Sequence, residues 1–399
     1  MTLRKLMGRK LRWLIATAGL AIGIVAGVRA ADFHGFSPTD FNGEMLSAPA
    51  LQAMTADAIA KTKPHNGHSY VFGFANLERD IPFGVRVEQG IRANAEAAGV
   101  HLVVADNRLD GPTALANAQS FVRRNVDFVI EFQTDVNFGP TIMRQFDDAK
   151  IPVIAIDIPM PGATFFGANN PRSGFMGGSY LGEAAIAKFG AAKAASGYLV
   201  VGDLPQSGAI PAMRTGGEVA GFAAVVSDMP KDHVIKIDTK NTMQYSFQQM
   251  SNVLSRIPPG ASILITAIND QATLGMLRAV YEAHRQSDTI AVGMGADEAP
   301  ELAQEKQFVA SVGYFPERYG NYLIPMALMT LAGDRLPPAV LVHHVMVTQA
   351  NVCHFYPKVP CGGAAGFTYQ FPEKAFVTYL AGLRRDPTLA GYEKLIPEN

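Results

Sequence analysis

The sequence of 399 residues lacks the motifs by which most enzymes and nucleic-acid-binding proteins are recognised. It contains neither a G-x-x-x-x-G-K-[ST] run nor a clean G-x-G-x-x-G, so a phosphate-binding loop is not expected. It has no nucleophile elbow, zinc helix motif or recognisable cysteine–histidine arrangement, so no catalytic residues, metal ligands or cofactor are predicted. Basic residues form no stripe, which disfavours a nucleic-acid partner. The absence of these motifs disfavours an enzyme.

Charged residues are sparse, at 17%, and they are unevenly placed. Residues 1–30 hold six of the 34 Lys and Arg and none of the 35 Asp and Glu, around an apolar run from Trp13 to Val28. This pattern, with Ala30 at a cleavage position, is typical of a signal peptide. An uncleaved anchor is the alternative, because the run is only a little shorter than the roughly 20 residues that span a bilayer. We expect an exported mature chain with a net charge of −7.

Only two cysteines are present, Cys353 and Cys361, in a segment that also holds Pro357 and Pro360. An exported protein meets an oxidising compartment, where such a pair can close a short loop, so the sequence favours a disulfide. Two free thiols are the alternative. A metal site with His354 is disfavoured, because the spacing matches no standard zinc site.

The chain has enough apolar residues, 48%, to fill two cores, and its pattern changes near residue 69. Residues 31–68 are punctuated by Pro and Gly, with one predicted helix over 48–61, and they are interpreted as an N-terminal extension. Beyond them, short β-rich runs alternate with amphipathic helical stretches, which predicts parallel sheets with helices on both faces. The predicted strands are 71–75, 102–105, 128–132, 152–156, 199–201, 233–237, 262–266 and 290–293.

These eight strands fall into two sets of four on either side of residues 163–171, so two similar α/β lobes are predicted. The helix that begins near Gly174 also carries Gly177, Gly178 and Gly182. No strand directly precedes this helix, so close packing against a neighbouring backbone is a better interpretation than phosphate binding.

Several segments in this order and spacing resemble one family. In the first half they are Phe74–Phe83, Val103–Asn107, Gln133–Asp135, Ile151–Asp157 and Gly167–Asn170. In the second half they are Ala212–Gly216, Ile265–Asp270, Val292–Asp297 and Ala310–Pro316. From residue 69 to about 350 the chain resembles the type I periplasmic binding proteins of sugar ABC importers, the ribose-binding cluster.

The resemblance implies a fold of two doubly wound parallel-sheet lobes joined by a three-segment hinge. Crossings are expected near 168–171, 314–318 and 340–348, and the lobes would close on a ligand between them. The first lobe would comprise residues 69–168 and 317–350, and the second residues 169–316. The tail, residues 351–399, is expected to pack on the first lobe.

The resemblance also implies ligand-binding residues. Asp135, Arg214 and Asn269 match positions that hydrogen-bond the ligand, and Phe83 matches an aromatic residue that stacks on it. Carboxylate and guanidinium groups suit adjacent hydroxyls, and aromatic rings suit the apolar faces of a sugar. Asp270 is predicted to cap the helix that follows, which leaves Asn269 for the ligand.

Other candidates come from their positions after predicted strands. Asn76, Arg79 and Asp80 follow the first strand and either face the cleft or pair on the surface. Asp157 ends a strand and either binds ligand or caps a turn.

The chain departs from the ribose-type pattern at two positions, where Gly295 replaces an aspartate and Tyr314 a glutamine. Asp297 could compensate for the first. Tyr314 keeps a hydroxyl but enlarges the aromatic surface, so the ligand need not be ribose. Tyr319 is interpreted as a core residue.

The predicted function is that of the periplasmic substrate-binding component of an ABC transporter. It would capture a sugar or polyol and deliver it to a permease in the inner membrane, as a monomer, without chemistry on the ligand. One alternative is a binding protein of the same fold for a non-sugar small molecule. The other is a sensor subunit that presents its ligand to a chemoreceptor or sensor kinase.

Overall fold

The computed structural model describes residues 33–363 and 366–398. The predicted signal peptide, residues 1–30, lies outside the described residues. None of the described helices is both long and apolar enough to cross a membrane.

Twelve strands form in the described chain, and the eight predicted from sequence are all among them. They are β1 (Val71–Asn76), β2 (His101–Asp106), β3 (Phe128–Glu131), β4 (Val153–Ile156), β5 (Thr164–Ala168), β6 (Tyr198–Asp203), β7 (Val234–Asp238), β8 (Ile263–Ala267), β9 (Thr289–Gly295), β10 (Phe308–Gly313), β11 (Ala339–Val342) and β12 (Val345–Thr348).

The helices alternate with these strands. They are α1 (Ala48–Lys61), α2 (Pro82–Ala98), α3 (Gly111–Arg123), α4 (Gly139–Asp148), α5 (Asn170–Phe189), α6 (Ala191–Ala195), α7 (Ala209–Val225), α8 (Met243–Leu254), α9 (Asp270–Glu282), α10 (Ala299–Gln304), α11 (Tyr319–Leu331), α12 (Val352–Phe355) and α13 (Glu373–Leu383). Several begin at capping side chains, such as Asp110 before α3 and Thr242 before α8, which accept from free amides of the first turn.

The strands form two six-stranded sheets. The first has the order β11-β5-β4-β3-β1-β2 and is wholly parallel. The second has the order β12-β10-β9-β8-β6-β7, with only β12 antiparallel. Apolar clusters cover both faces of each sheet, which explains why central strands such as β3 and β8 are buried along their whole length. The predicted α/β class with two doubly wound lobes is confirmed.

The chain passes between the sheets three times. It leaves the first sheet after β5, returns between β10 and α11, and crosses again between β11 and β12. The expected first-lobe range of 317–350 is too long, because residues 345–348 pair with β10 of the second sheet. Two residues, His343 and His344, make this last crossing.

The two ends of the chain pack on different lobes. In the extension, α1 contacts α2 and α11, and Phe36, Leu51 and Met54 join the core of the first lobe. The tail differs from expectation. It begins after β12, which belongs to the second sheet, so the following Phe355 and Tyr356 pack against the second lobe.

The rest of the tail also lies mainly on the second lobe. Its helix α13 contacts α5 and α7, with Phe376 and Leu380 buried against Phe175 and Met213. The last turn, near Leu395, reaches β11 of the first sheet. A disulfide joins Cys353 and Cys361 in this tail, with a Cα–Cα distance of 5.0 Å.

Candidate ligand-binding cleft

A cavity of about 550 Å³, including its mouth, lies between the lobes at the carboxyl edges of both sheets, where α/β proteins bind ligands. Its first-lobe wall consists of Leu77, Ile81, Phe83, Phe132, Thr134, Asp157 and Ile158. Its second-lobe wall includes Ser207, Arg214, Asn241 and Asn269, with Leu204, Pro211, Ile268 and Met294 between them. Tyr314, at the second crossing, completes the lining.

Arg214 reaches the cavity from α7, and glycines on α5 allow α7 to come close. A Cβ at Gly174 would lie 1.9 Å from the carbonyl oxygen of Arg214, so any larger residue would push α7 away. The helices thus pack backbone to backbone, as the glycine pattern predicted, although a strand, β5, does end directly before α5, contrary to expectation. Arg214 Nε donates to Asn170 Oδ1 at 3.0 Å and Nη1 donates to the carbonyl of Ile268 at 2.7 Å. These bonds fix a buried guanidinium with donors left for a ligand.

Asp157 contributes the negative charge of the cavity from the opposite lobe. Its Oδ1 accepts from the amide of Ala168 at 2.8 Å, and its backbone is left-handed, with φ 56°. Burial raises the pKa of Asp157 above its usual value, and the positive charge of Arg214 and the bond from the Ala168 amide offset this only in part. Asp157 and Arg214 are the charged side chains among the described lining residues, one on each lobe. A polar ligand between them would contact both signs of charge.

Asn269 lies in the cavity lining, but the predicted division of labour with Asp270 was wrong. Asn269 caps α9, because its Oδ1 accepts from the amide of Ala272 at 2.8 Å. Asp270 is already inside the helix and turns away from the cavity, where Ser311 Oγ donates to it at 2.7 Å. Asn269 Nδ2 donates to Asn241 Oδ1 at 2.6 Å. One amide hydrogen of Asn269 and the second lone pair of its Oδ1 are left for a ligand.

Aromatic residues close the hinge side of the cavity. The ring of Phe83 meets those of Phe132, Tyr314 and Tyr319 edge-on, with centroids 5.8–6.5 Å apart. The guanidinium carbon of Arg214 lies 4.9 Å from the ring centroid of Tyr314. Burial raises the pKa of Tyr314, whose hydroxyl donates to Ser173 Oγ at 2.8 Å. Tyr319 is only 1% exposed, which confirms its interpretation as a core residue.

The polar residues of the loop after β1 do not line the cavity, contrary to one of the two predicted options. Asn76 is fully buried and donates to the carbonyl of Gly84 and to Glu88 of α2. Arg79 forms a two-point ion pair with the same carboxylate, at 2.8 and 2.9 Å, while Asp80 stays at the surface. Both Asn76 and Arg79 are thus bound to the buried carboxylate of Glu88. The apolar residues of the same segment, Leu77 and Ile81, face the cavity instead.

Asp135 and Asp297 also lie outside the lining. Asp135 caps a short 3₁₀ turn by accepting from the amide of Asn137 at 3.0 Å. Asp297 is 2% exposed, and its pKa is raised by burial and by the adjacent charge of Asp270. Asp297 is not among the lining residues, so it does not replace the aspartate that is missing at Gly295.

Three polar lining residues were not predicted: Thr134, Ser207 and Asn241. Ser207 Oγ donates across the cleft to the carbonyl of Thr134 at 2.7 Å, so the two lobes touch at the rim. Asn241 follows β7 in the turn before α8. Its place at the carboxyl end of a predicted strand was the signal that could have found it.

Residues 72–335 match the family model described as a periplasmic binding protein domain. The chain belongs to this family. The ribose import binding protein of Salmonella typhimurium is 25% identical over 297 residues, which cover 73% of this chain and 93% of that protein.

Two solved structures show the same fold. An ABC transporter solute-binding protein from Bacillus halodurans with bound myo-inositol is 20% identical, with a TM-score of 0.60 over 73% of this chain and 98% of that one. A second solute-binding protein, from Actinobacillus succinogenes with bound D-allose, is 16% identical. Its TM-score is 0.60, and the match covers 72% of this chain and 100% of that chain.

Proposed function

We propose that this protein is the periplasmic substrate-binding component of an ABC transporter and that it captures a sugar or polyol in the cleft between its lobes. The observation that carries the proposal is the pairing of Asp157 and Arg214 on opposite walls of a cavity that is otherwise largely apolar. A polyhydroxylated ligand would donate hydroxyls to the carboxylate and accept from the guanidinium, while its C–H faces met Phe83 and Tyr314.

The relatives support the ligand class. The curated relative imports ribose, and the two solved structures hold a cyclic polyol and a hexose. These ligands share adjacent hydroxyls on a compact carbon frame.

Delivery to a permease follows from the same proposal. The family consists of binding proteins, so the ligand would be released unchanged. Periplasmic location accords with the family and with the basic, apolar N-terminal segment. The mature chain is expected to act as a monomer, because the cleft is completed by two lobes of one chain.

The test is a thermal-shift and calorimetric screen of the mature chain, residues 31–399, against pentoses, hexoses, linear polyols, inositols and amino acids. A ligand that binds only the folded state raises the melting temperature by mass action. We expect a shift with one sugar or polyol class and none with amino acids. A shift with amino acids alone, or recovery of a chemically altered sugar, would refute the proposal.

A further inference from the structure

All three segments that cross between the lobes meet at one side chain, His344. The residue lies in the third crossing, between β11 and β12. Its Nε2 is 3.0 Å from the backbone nitrogen of Asn169, in the first crossing. Its Nδ1 is 3.2 Å from the carbonyl oxygen of Gly313, where the second crossing begins. One imidazole therefore bridges two crossing segments from a position in the third.

The two partners determine the tautomer of the ring. The amide of Asn169 can only donate, so Nε2 accepts, and the carbonyl of Gly313 can only accept, so Nδ1 carries the proton. Only a neutral imidazole satisfies both bonds. Burial lowers the pKa of His344 to about 3, in agreement with this arrangement.

His344 is also connected to the cavity wall. Its ring centroid lies 4.5 Å from that of Tyr314, which lines the cavity. On its other side Tyr314 contacts the guanidinium of Arg214, and its hydroxyl donates to Ser173 at the start of α5. A shift of the imidazole would therefore move a ring that contacts the cavity.

We propose that His344 is a positioning residue for ligand binding, because it ties the three crossing segments into one unit and holds Tyr314 against the cavity. It sets the relation between the lobes at the hinge, as Ser207 and Thr134 do at the rim. The link to ligand affinity rests on the proposed function, whereas the link to hinge geometry does not.

The test compares His344→Phe with His343→Phe in the mature chain. Phenylalanine keeps a flat ring beside Tyr314 but removes both hydrogen bonds, and His343 is an exposed neighbour on the same crossing. We expect His344→Phe to weaken affinity for the sugar found in the screen about tenfold, since the two bonds that join the crossing segments are lost. Small-angle scattering should show a larger radius of gyration, and hydrogen exchange at the Asn169 amide should accelerate. His343→Phe should change none of these.

A second pair of variants separates positioning from folding. The glutamine of His344→Gln has both an acceptor oxygen and a donor NH2 group, whereas the leucine of His344→Leu has neither. Tighter sugar binding by His344→Gln than by His344→Leu supports the proposal. Equal affinities in the two folded variants overturn it. If no sugar binds the unmodified protein, the proposed function fails alone. In that case the radius of gyration and the exchange rate of the Asn169 amide test the inference. If both are the same in His344→Phe as in the parent protein, the inference is overturned.

Discussion

The two walls of the cavity are built differently, although the lobes share one architecture. The second lobe contributes an arginine and two asparagines that are held by bonds to neighbouring elements. The first lobe contributes mostly apolar side chains, with Asp157 and Thr134 as its polar members. Asn76, at the end of β1, and Arg79, in the loop after it, are bound to Glu88 instead. A ligand would therefore present its apolar face to the first lobe and most of its hydroxyls to the second.

The difference between the walls depends on the hydrogen-bond partners that lie near each polar side chain. Arg79 and Arg214 both belong to segments after a strand, but Arg79 has a buried carboxylate within 2.8 Å on the next helix. Arg214 bonds a side-chain oxygen and a carbonyl, and its remaining donors stay available. The nearest acceptor, more than the residue type, decides whether a side chain can serve a ligand.

The largest expected effect is that of Arg214→Ala. It removes the positive charge of the cavity and leaves Asp157 buried without it, so affinity should fall on the order of 100-fold, about 3 kcal/mol. The matched control is Arg79→Ala in the first lobe, which should leave affinity within about twofold, because Asn76 still donates to Glu88 beside the same loop. Arg79 is half exposed and Arg92 still pairs with Glu88, so the loss of stability should be at most about 1 kcal/mol. Isothermal titration and chemical denaturation measure both. Equal losses of affinity in the two variants would contradict the proposed division between the walls.

Phe83→Leu probes the apolar wall and should have a smaller effect. The leucine keeps most of the apolar volume but loses the aromatic face, so affinity should fall roughly threefold to tenfold. Phe376→Leu, in the tail and away from the cavity, serves as the control. It should lower the melting temperature without changing the dissociation constant. An unchanged affinity in Phe83→Leu would mean that the ligand does not stack on the first lobe.

The smallest effect on binding is expected from the buried carboxyl groups, Glu131 in the first lobe and Glu218 in the second. Burial raises the pKa of each to about 8, and Asn107 and Arg214 respectively offset this only in part. Each group keeps a proton in the folded protein that the unfolded chain loses near pH 4.5. Stability should therefore fall as the pH rises from about 4.5 to about 8, and then level off.

Glu131→Gln and Glu218→Gln test this pH dependence. The amide side chains do not ionise. The melting temperatures of the two variants should therefore rise relative to that of the parent protein as the pH increases from about 5 to about 8. Sugar affinity at a single pH should stay within about twofold, because neither side chain lines the cavity. If the melting temperatures of the variants and the parent differ by the same amount at every pH, these carboxyl groups are not protonated in the folded protein.

Much of the fold could be predicted from the sequence, because buried parallel strands are short apolar runs with clear boundaries. Strand β12 was harder to place, since the run 340–348 looks continuous and the crossing at His343 and His344 depends on which sheet each half joins. The position of the tail depended on that same choice. The local pattern of apolar residues does not show which sheet a strand joins.

The site was predictable in part, for a related reason. Arg214 and Asn269 occupy positions fixed by strand ends and helix starts, and both line the cavity. The direction of the loop after β1 depends on Glu88, a tertiary partner that the sequence does not single out. The exchange of roles between Asn269 and Asp270 depended on a one-residue difference in where α9 begins.

The three crossings also have a consequence for the order of folding. The first sheet needs β11 and the second needs β12, and both strands lie within residues 339–348. Neither lobe can complete its sheet while the chain is still growing through α11. Because domains fold as units once their elements are present, both should consolidate late and nearly together. A truncation before residue 339 should therefore leave two incomplete lobes and expose both to proteolysis.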